Sequence, residues 1–455
     1  MNKVLILIIF LLSILYVNTN FLRHLQPGSN TNNFDYSSIS YISKDTSLTN
    51  ADLSSSTSDQ SVVYITSSGV TITDSTLTKS SGDSSNTENS EFYGVNAAVL
   101  VQGGGVTITG GTINTNAKGA NALCATNNGK VTISGTTITS TGDSSARGLH
   151  ATYGGSITAS GVSISSTGGS CATLATDRGE GTVSCTSCQL STAGSGSPLI
   201  YSTGDITVSK TTGTSTGAQA VVVEGKNTAT VKDSSNLKCN GIGNRNNVDQ
   251  CGVMLYQSMS GDADDGISTF KCENSNIEIQ SSSSVYSTAP MFFITNTDAI
   301  IALNGCTFTY GSGTFLSAKG TSEWGTSGSN GGDVILNLTN QNIEGNFVVD
   351  ANSELTINMV NSTIKGTINS AKTADELNIN LDSSSSITLT GNSYYTSISN
   401  SDKTGANIIN GTYSLSNYDD DDDNTNDNIT RVNSYGKFIP LSFSLLLALL
   451  LILIS

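Results

Sequence analysis

Basic side chains and histidines are scarce in this 455-residue chain: 20 Lys and Arg stand against 36 Asp and Glu, with 2 His, for a formal net charge of −16. That balance argues against nucleic acid and against an anionic membrane surface as partners. Helix-building sequence is lacking too. Glycine numbers 46, and runs of Ser and Thr occur throughout; both are poor in helix interiors. Zinc chemistry lacks its ligands, because Cys185-x-x-Cys188 has neither a second such pair nor a nearby histidine to complete a tetrahedral site.

What is present is a spacing. One aliphatic residue is followed by another two positions on, and by a third five positions after that: Val70, Ile72, Leu77; Val106, Ile108, Ile113; Val131, Ile133, Ile138; Ile157, Ala159, Ile164; Val183, Cys185, Leu190. From Val106 to Val183 the repeats start 25, 26 and 26 residues apart, and the step falls to 21 near the C-terminus. The alternating pair has the period of a strand with one face inward, and the intervening Thr and Ser suit a pleated outer face. A further apolar run recurs in each repeat, as in Val99-Leu100-Val101, Leu199-Ile200-Tyr201 and Val253-Met254-Leu255-Tyr256. Three short strands per repeat, none able to bury its apolar face alone, predict an all-β fold: a single right-handed parallel β-helix over 60–416. Roughly 13 coils at about 4.8 Å each give a rod on the order of 60 Å long.

The flanks set the expected compartment. An apolar run from Val4 to Val17 reads as a secretory signal peptide over 1–19, followed by an N-terminal segment and helix cap over 20–59. Asp419–Asp423 are five consecutive aspartates within an expected acidic, disordered stalk over 417–437. A second apolar run, 438–455, carries no basic residue after it, which fits a glycolipid-attachment signal better than a spanning anchor. The expectation is a rod on the extracellular face of the plasma membrane, tied to the membrane by its C-terminal anchor. Eight cysteines permit disulfides in that compartment. Cys185 and Cys272 fall at inward positions, and Cys239 with Cys251 flank one insertion that a bridge between them would close. Acceptor motifs for N-glycosylation occur only at Asn337, Asn361, Asn410 and Asn428, which leaves the upper rod bare.

Against the Ser/Thr background, the middle repeats carry a different set. The ligand-binding candidates are Arg147, Tyr153, Asp177, Arg178, Glu180, Glu224, Lys226, Arg245, Asp249 and Tyr256. Many follow that further apolar run in consecutive coils, so stacking would place them in one column. Rings, carboxylates and guanidinium groups on one face suit sugar recognition, provided that they share a groove. His150 aligns with Cys124 and Leu174 in this reading and is taken as a structural, satisfied histidine. Trp324, in the insertion Glu323-Trp324-Gly325, is either a ligand platform or a cover over the side of the rod, the second being favoured.

Runs such as Ala175-Thr176-Asp177-Arg178-Gly179-Glu180-Gly181 and Ser197-Pro198-Leu199-Ile200-Tyr201 resemble adhesin-like microbial surface proteins with a pectin-lyase-like right-handed β-helix, over roughly 60–416. The resemblance implies a scaffold that hosts lyases, hydrolases and adhesins alike. The polygalacturonase-like members carry Asn-x-Asp, then paired aspartates, His-Gly and Arg-x-Lys. Asn296-Thr297-Asp298 could begin that set, but between it and the stalk there is no adjacent aspartate pair, and no histidine follows it. The lyase-like members use a basic residue and calcium-holding carboxylates, a set that Asp177, Arg178, Glu180, Asp205, Glu224 and Lys226 could imitate. The expected function is a cell-surface adhesin-like protein that binds glycans or other surfaces, with no catalytic residue, metal or cofactor assigned. The alternative is a calcium-dependent polyuronide lyase.

Overall fold

A computed structural model describes residues 36–418. The leader over 1–19, the anchor over 438–455, Asn428 and all of the stalk except 417 and 418 lie outside the described residues. What is described is a right-handed parallel β-helix in which every strand pair is parallel. Each coil contributes one strand to each of three faces. The first sheet holds 12 strands, from Ser37–Ile42 to Asn346–Val349, and the second holds 14, from Thr46–Thr49 to Ser397–Asn400. The third holds 10, from Asp52–Ser55 to Thr307–Thr309, and a 4-stranded sheet beginning at Asn342–Glu344 follows it.

The aliphatic spacing is the register. Val70 pairs with Val106, Val106 with Val131, Val131 with Ile157, and Ile157 with Val183. On the third face Leu77, Ile113, Ile138, Ile164 and Leu190 stack in the same way. These side chains are buried in one continuous core. The ladder begins earlier than expected: the segment assigned to a cap contributes Ser37–Ile42, Thr46–Thr49 and Asp52–Ser55, which pair with the strands that follow. At the other end Asn417, assigned to the stalk, closes the strand Leu415–Asn417 against Ser393–Tyr395.

The corner between the second and third strands explains the recurrent Gly, Asn and Asp. Asp74, Gly110, Gly135, Gly161, Asp233, Asn274, Gly305, Asn340 and Asn361 all take positive φ there, a conformation that these residue types tolerate best. The next residue is commonly a Ser or Thr whose hydroxyl accepts a backbone N–H from the preceding coil, as Thr211, Ser235 and Ser275 do in succession. Gln341 occupies this column where the third face breaks. Its longer amide accepts from the Cys306 N–H at 2.9 Å and donates back to the Cys306 carbonyl.

Both disulfides span this corner. Cys185 pairs with Cys188, and Cys272 with Cys306. The Cys239–Cys251 bridge that the sequence allows is not made; both are buried free thiols. Cys239 faces the central core, whereas Cys251 packs into a separate outer cluster with Val222, Met254, Phe293 and Trp324. Of the glycosylation acceptors, Asn361 and Asn410 are exposed and Asn337 is half-buried. Asn337 accepts a hydrogen bond from the Asn358 amide, and Asn361 donates one to Asn340.

On the outer side of the second sheet Asp298, Asp333, Glu354 and Glu376 stand in register. Like charges directly opposite one another oppose pairing. Partial burial, then the neighbouring carboxylates, raise the pKa of Asp333 and of Glu354. A carboxylate whose folded pKa is raised costs stability above that pKa, and the cost fades as pH falls toward the unfolded value. Glu354→Gln should therefore raise the thermal midpoint at pH 7, with the gain shrinking on titration to pH 4; an equal gain at both pH values would show that charge is not the cause.

Candidate functional site

The first sheet presents a single column of outward side chains between regular turns: Leu100, Cys124, His150, Ala175, Tyr201, Val222, Met254 and Phe293. His150 pairs with Ala175 rather than Leu174, one position off the alignment read from the sequence. Such a column would expose apolar surface if left bare. Two insertions cover its ends.

The first insertion contains the helix Thr87–Tyr93, which begins at Asn86, whose side chain accepts from the Glu88 N–H, and ends at Gly94 with φ 71°. A Cβ on Gly94 would fall 2.6 Å from the Cys124 sulfur, so glycine both ends the helix and lets it lie on the column. The helix is fastened by its carbonyls: Asn121 donates to Ser90, Thr152 to Phe92 and His150 Nε2 to Glu91, the last at 2.6 Å. Tyr153 is buried and stacks on Tyr93 with ring centres 5.5 Å apart. Burial and the adjacent Arg147 push His150 down to about 3, so it stays neutral and serves as a structural donor. The second insertion brings Trp324, only 6% exposed, onto Val222, Met254 and Phe293, edge-on to Tyr256. Trp324 is thus a cover on the side of the rod.

Between the two covers lies a cleft of about 230 Å³. Pro198, Tyr201, Val222, Met254, Tyr256 and Trp324 give it apolar and aromatic surface, and Glu91, Arg147, Asp177, Arg245, Asp249 and Asp262 give it charge. Two further insertions, within the coil of Val253–Tyr256, form its sides. One carries Asn244 to Asp249; the other carries Asp262. The walls are clasped across the column. Asn246 donates to Glu323 at 2.8 Å, and Arg178 lies 3.9 Å from the Phe92 ring centre while pairing with Asp262 at 3.1 Å.

Two buried polar groups underlie the cleft. Arg147 donates to Asp177 at 2.6 Å and to Glu91 at 3.5 Å, and the Ser145 hydroxyl also donates to Glu91. Glu224, 1% exposed, accepts the phenols of Tyr201 and Tyr256 at 2.6 and 2.7 Å and the N–H and hydroxyl of Ser258. Burial, then the Glu224 charge, raises both phenols well above their usual range, so they remain donors. Burial pushes Asp177 up to about 7, and Arg147, which it shares with Glu91, offsets only part of that rise.

The ten sequence candidates therefore divide. Arg147, Asp177, Arg245, Asp249 and Tyr256 line the cleft, Glu224 supports its floor, and Arg178 clasps its wall. Tyr153 is covered by the helix. Glu180 and Lys226 lie on a separate ridge with Asp205, where Lys226 pairs with Glu180 at 2.9 Å and with Asp264 at 3.0 Å. Arg178, Glu224 and Lys226 thus do not converge on one groove. The carboxylates of the lyase alternative do not gather in one place: Asp177 and Glu224 lie under the cleft, Glu180 and Asp205 on the ridge. Among the described residues no group of three or more His, Cys, Asp or Glu side chains is placed to hold a metal ion. Glu91, Asp262 and Tyr201 join the cleft without having been among the ten; the over-long connections before Val99 and after Tyr256 were the signal for the first two.

Compared with protein-family models, with curated proteins and with solved structures, the chain matches none.

Arg147→Met should cost about 3–5 kcal/mol, because it strands a buried carboxylate, measurable by denaturant unfolding. Asp177 has an ordinary value of 3.8, so the folded state binds its proton more tightly, and its contribution to stability falls as pH rises through about 7. The wild type should lose stability relative to Asp177→Asn between pH 5 and 8.5; a constant difference would refute the assignment.

Proposed function

We propose that this rod is a surface-displayed, adhesin-like binding protein and that the cleft over the first sheet takes a sugar ring. One observation carries the reading: four separate insertions in an otherwise regular solenoid converge on one place and clasp each other there. Regular coils need none of them for stacking. The lining suits a carbohydrate, because apolar and aromatic faces meet hydrogen-bonding groups within one small concavity. Surface display rests on the two apolar runs in the sequence, and the pectin-lyase-like resemblance adds a scaffold on which binding surfaces of this kind are known. The lyase alternative is disfavoured by the separation of its residues between cleft and ridge.

A glycan array probed with the 20–418 chain tests the reading. Binding to at least one glycan class is expected. Asn244→Trp, which fills the cleft mouth from an exposed position, should reduce it at least tenfold without lowering the thermal midpoint. An array with no binding, or binding indifferent to Asn244→Trp, would reject the cleft as a glycan site.

A further inference from the structure

We infer that the cleft selects a single terminal sugar bearing an anionic substituent, and that Arg245 is the residue that reads it; this rests on the cleft being a glycan site. Six ionisable acid and guanidinium groups line the cleft, and five are already engaged. Asp177 and Glu91 share Arg147. Both oxygens of Asp249 accept backbone N–H groups, of Asn244 at 3.2 Å and Arg245 at 3.1 Å. Asp262 holds Arg178 at 3.1 Å and the Ser260 hydroxyl at 2.9 Å. The Arg245 guanidinium is exposed and has no ion-pair partner among the described residues.

A cationic ligand would have to take a carboxylate from its present partner, which costs a buried or clasped pair. An anion need break nothing, and a guanidinium offers two parallel donors to a carboxylate or a sulfate ester. Arg245 is also held in place. Asp249 ties down the backbone at 244 and 245, Gln219 donates to the Asp249 carbonyl at 2.5 Å, and Asn246 fastens the loop to Glu323. Arg245 and Tyr256 both line the cleft, and the Arg245 charge opposes the rise of that phenol. The backbone that carries the guanidinium is thus fixed before binding, and only the side chain has to order.

Size limits the ligand to a terminus. The cleft is about 230 Å³, below the ~300–1,000 Å³ of pockets that hold drug-sized molecules. The helix stands at one end and the Trp324 insertion at the other, so a polymer does not run through along the column.

The test is an array that displays uronate-, sialyl- and sulfate-terminated glycans beside their neutral counterparts. It is probed with the 20–418 chain and with its Arg245→Gln variant. Binding confined to acid-terminated glycans, reduced at least tenfold by Arg245→Gln with an unchanged thermal midpoint, is the expected result. Whether carboxylate or sulfate termini dominate identifies the anion. Equal binding of neutral and acidic termini, internal polymer segments bound as well as termini, or indifference to Arg245→Gln would overturn the inference and leave the glycan reading standing. An array with no binding at all overturns both.

Discussion

No coil of this protein can hide its own apolar face. Each strand contributes one or two inward side chains, and these are removed from water only when the coils above and below place equivalent residues against them. Everything regular in the molecule follows from that dependence. Val106, Val131, Ile157 and Val183 must fall in register, so the corner between second and third strands must close identically in each coil. That requirement fixes the positive-φ residues of the corner and rewards a hydroxyl beside them that bonds to the neighbouring coil. Where Gln341 replaces the hydroxyl residue, its longer side chain still satisfies the neighbour, and the third face divides at the same place.

The outward faces are under a weaker constraint. A Ser or Thr there meets water and asks for nothing. An outward apolar residue does need cover, and the first sheet has a whole column of them. The helix and the Trp324 insertion answer that need at the two ends, leaving Tyr201 and its neighbours between. The cleft therefore arises from the same physics as the core, applied to the outside of the rod: apolar side chains seek covers, and covers have edges. Its walls hold because they are clasped by Asn246 with Glu323 and by Arg178 with Asp262, which are long-range contacts between loops.

This difference explains what could be read in the chain. Inward columns repeat, so a single sequence displays them many times over, and the parallel solenoid was legible from Val70 onward. The first strands at Ser37 were less so, because only Leu48 and Leu53 carry the pattern there. The cleft is assembled once. Arg147, Asp177 and Arg245 stand out as charges among Ser and Thr, but nothing in their spacing separates them from Glu180 and Lys226, which the turn carries round to another face. Glu91 comes from a short helix whose polar sequence gives no periodic signal. Cys239 and Cys251 looked like a bridge because they flank an insertion, yet Cys239 ends a third-face strand and packs into the core, whereas Cys251 lies in the insertion before Val253–Tyr256 and packs into the outer cluster.

The charges that remain inside sharpen the distinction between holding a site and serving it. Arg147 is 6% exposed, and burying a guanidinium with two carboxylates is seldom a net gain over apolar packing. What the pair supplies is position: it joins the coil of Arg147 to that of Asp177 and to the helix carrying Glu91, so the helix cannot slide along the apolar column without stranding a charge. Glu224 does the same for the floor, setting the phenols of Tyr201 and Tyr256 at fixed angles through one carboxylate oxygen. Groups so fully engaged are poor ligand readers, because any new partner must first displace an existing one. In the proposed site, recognition would fall to the groups left over at the rim. In a cleft whose acids are all occupied, the group left over is a cation.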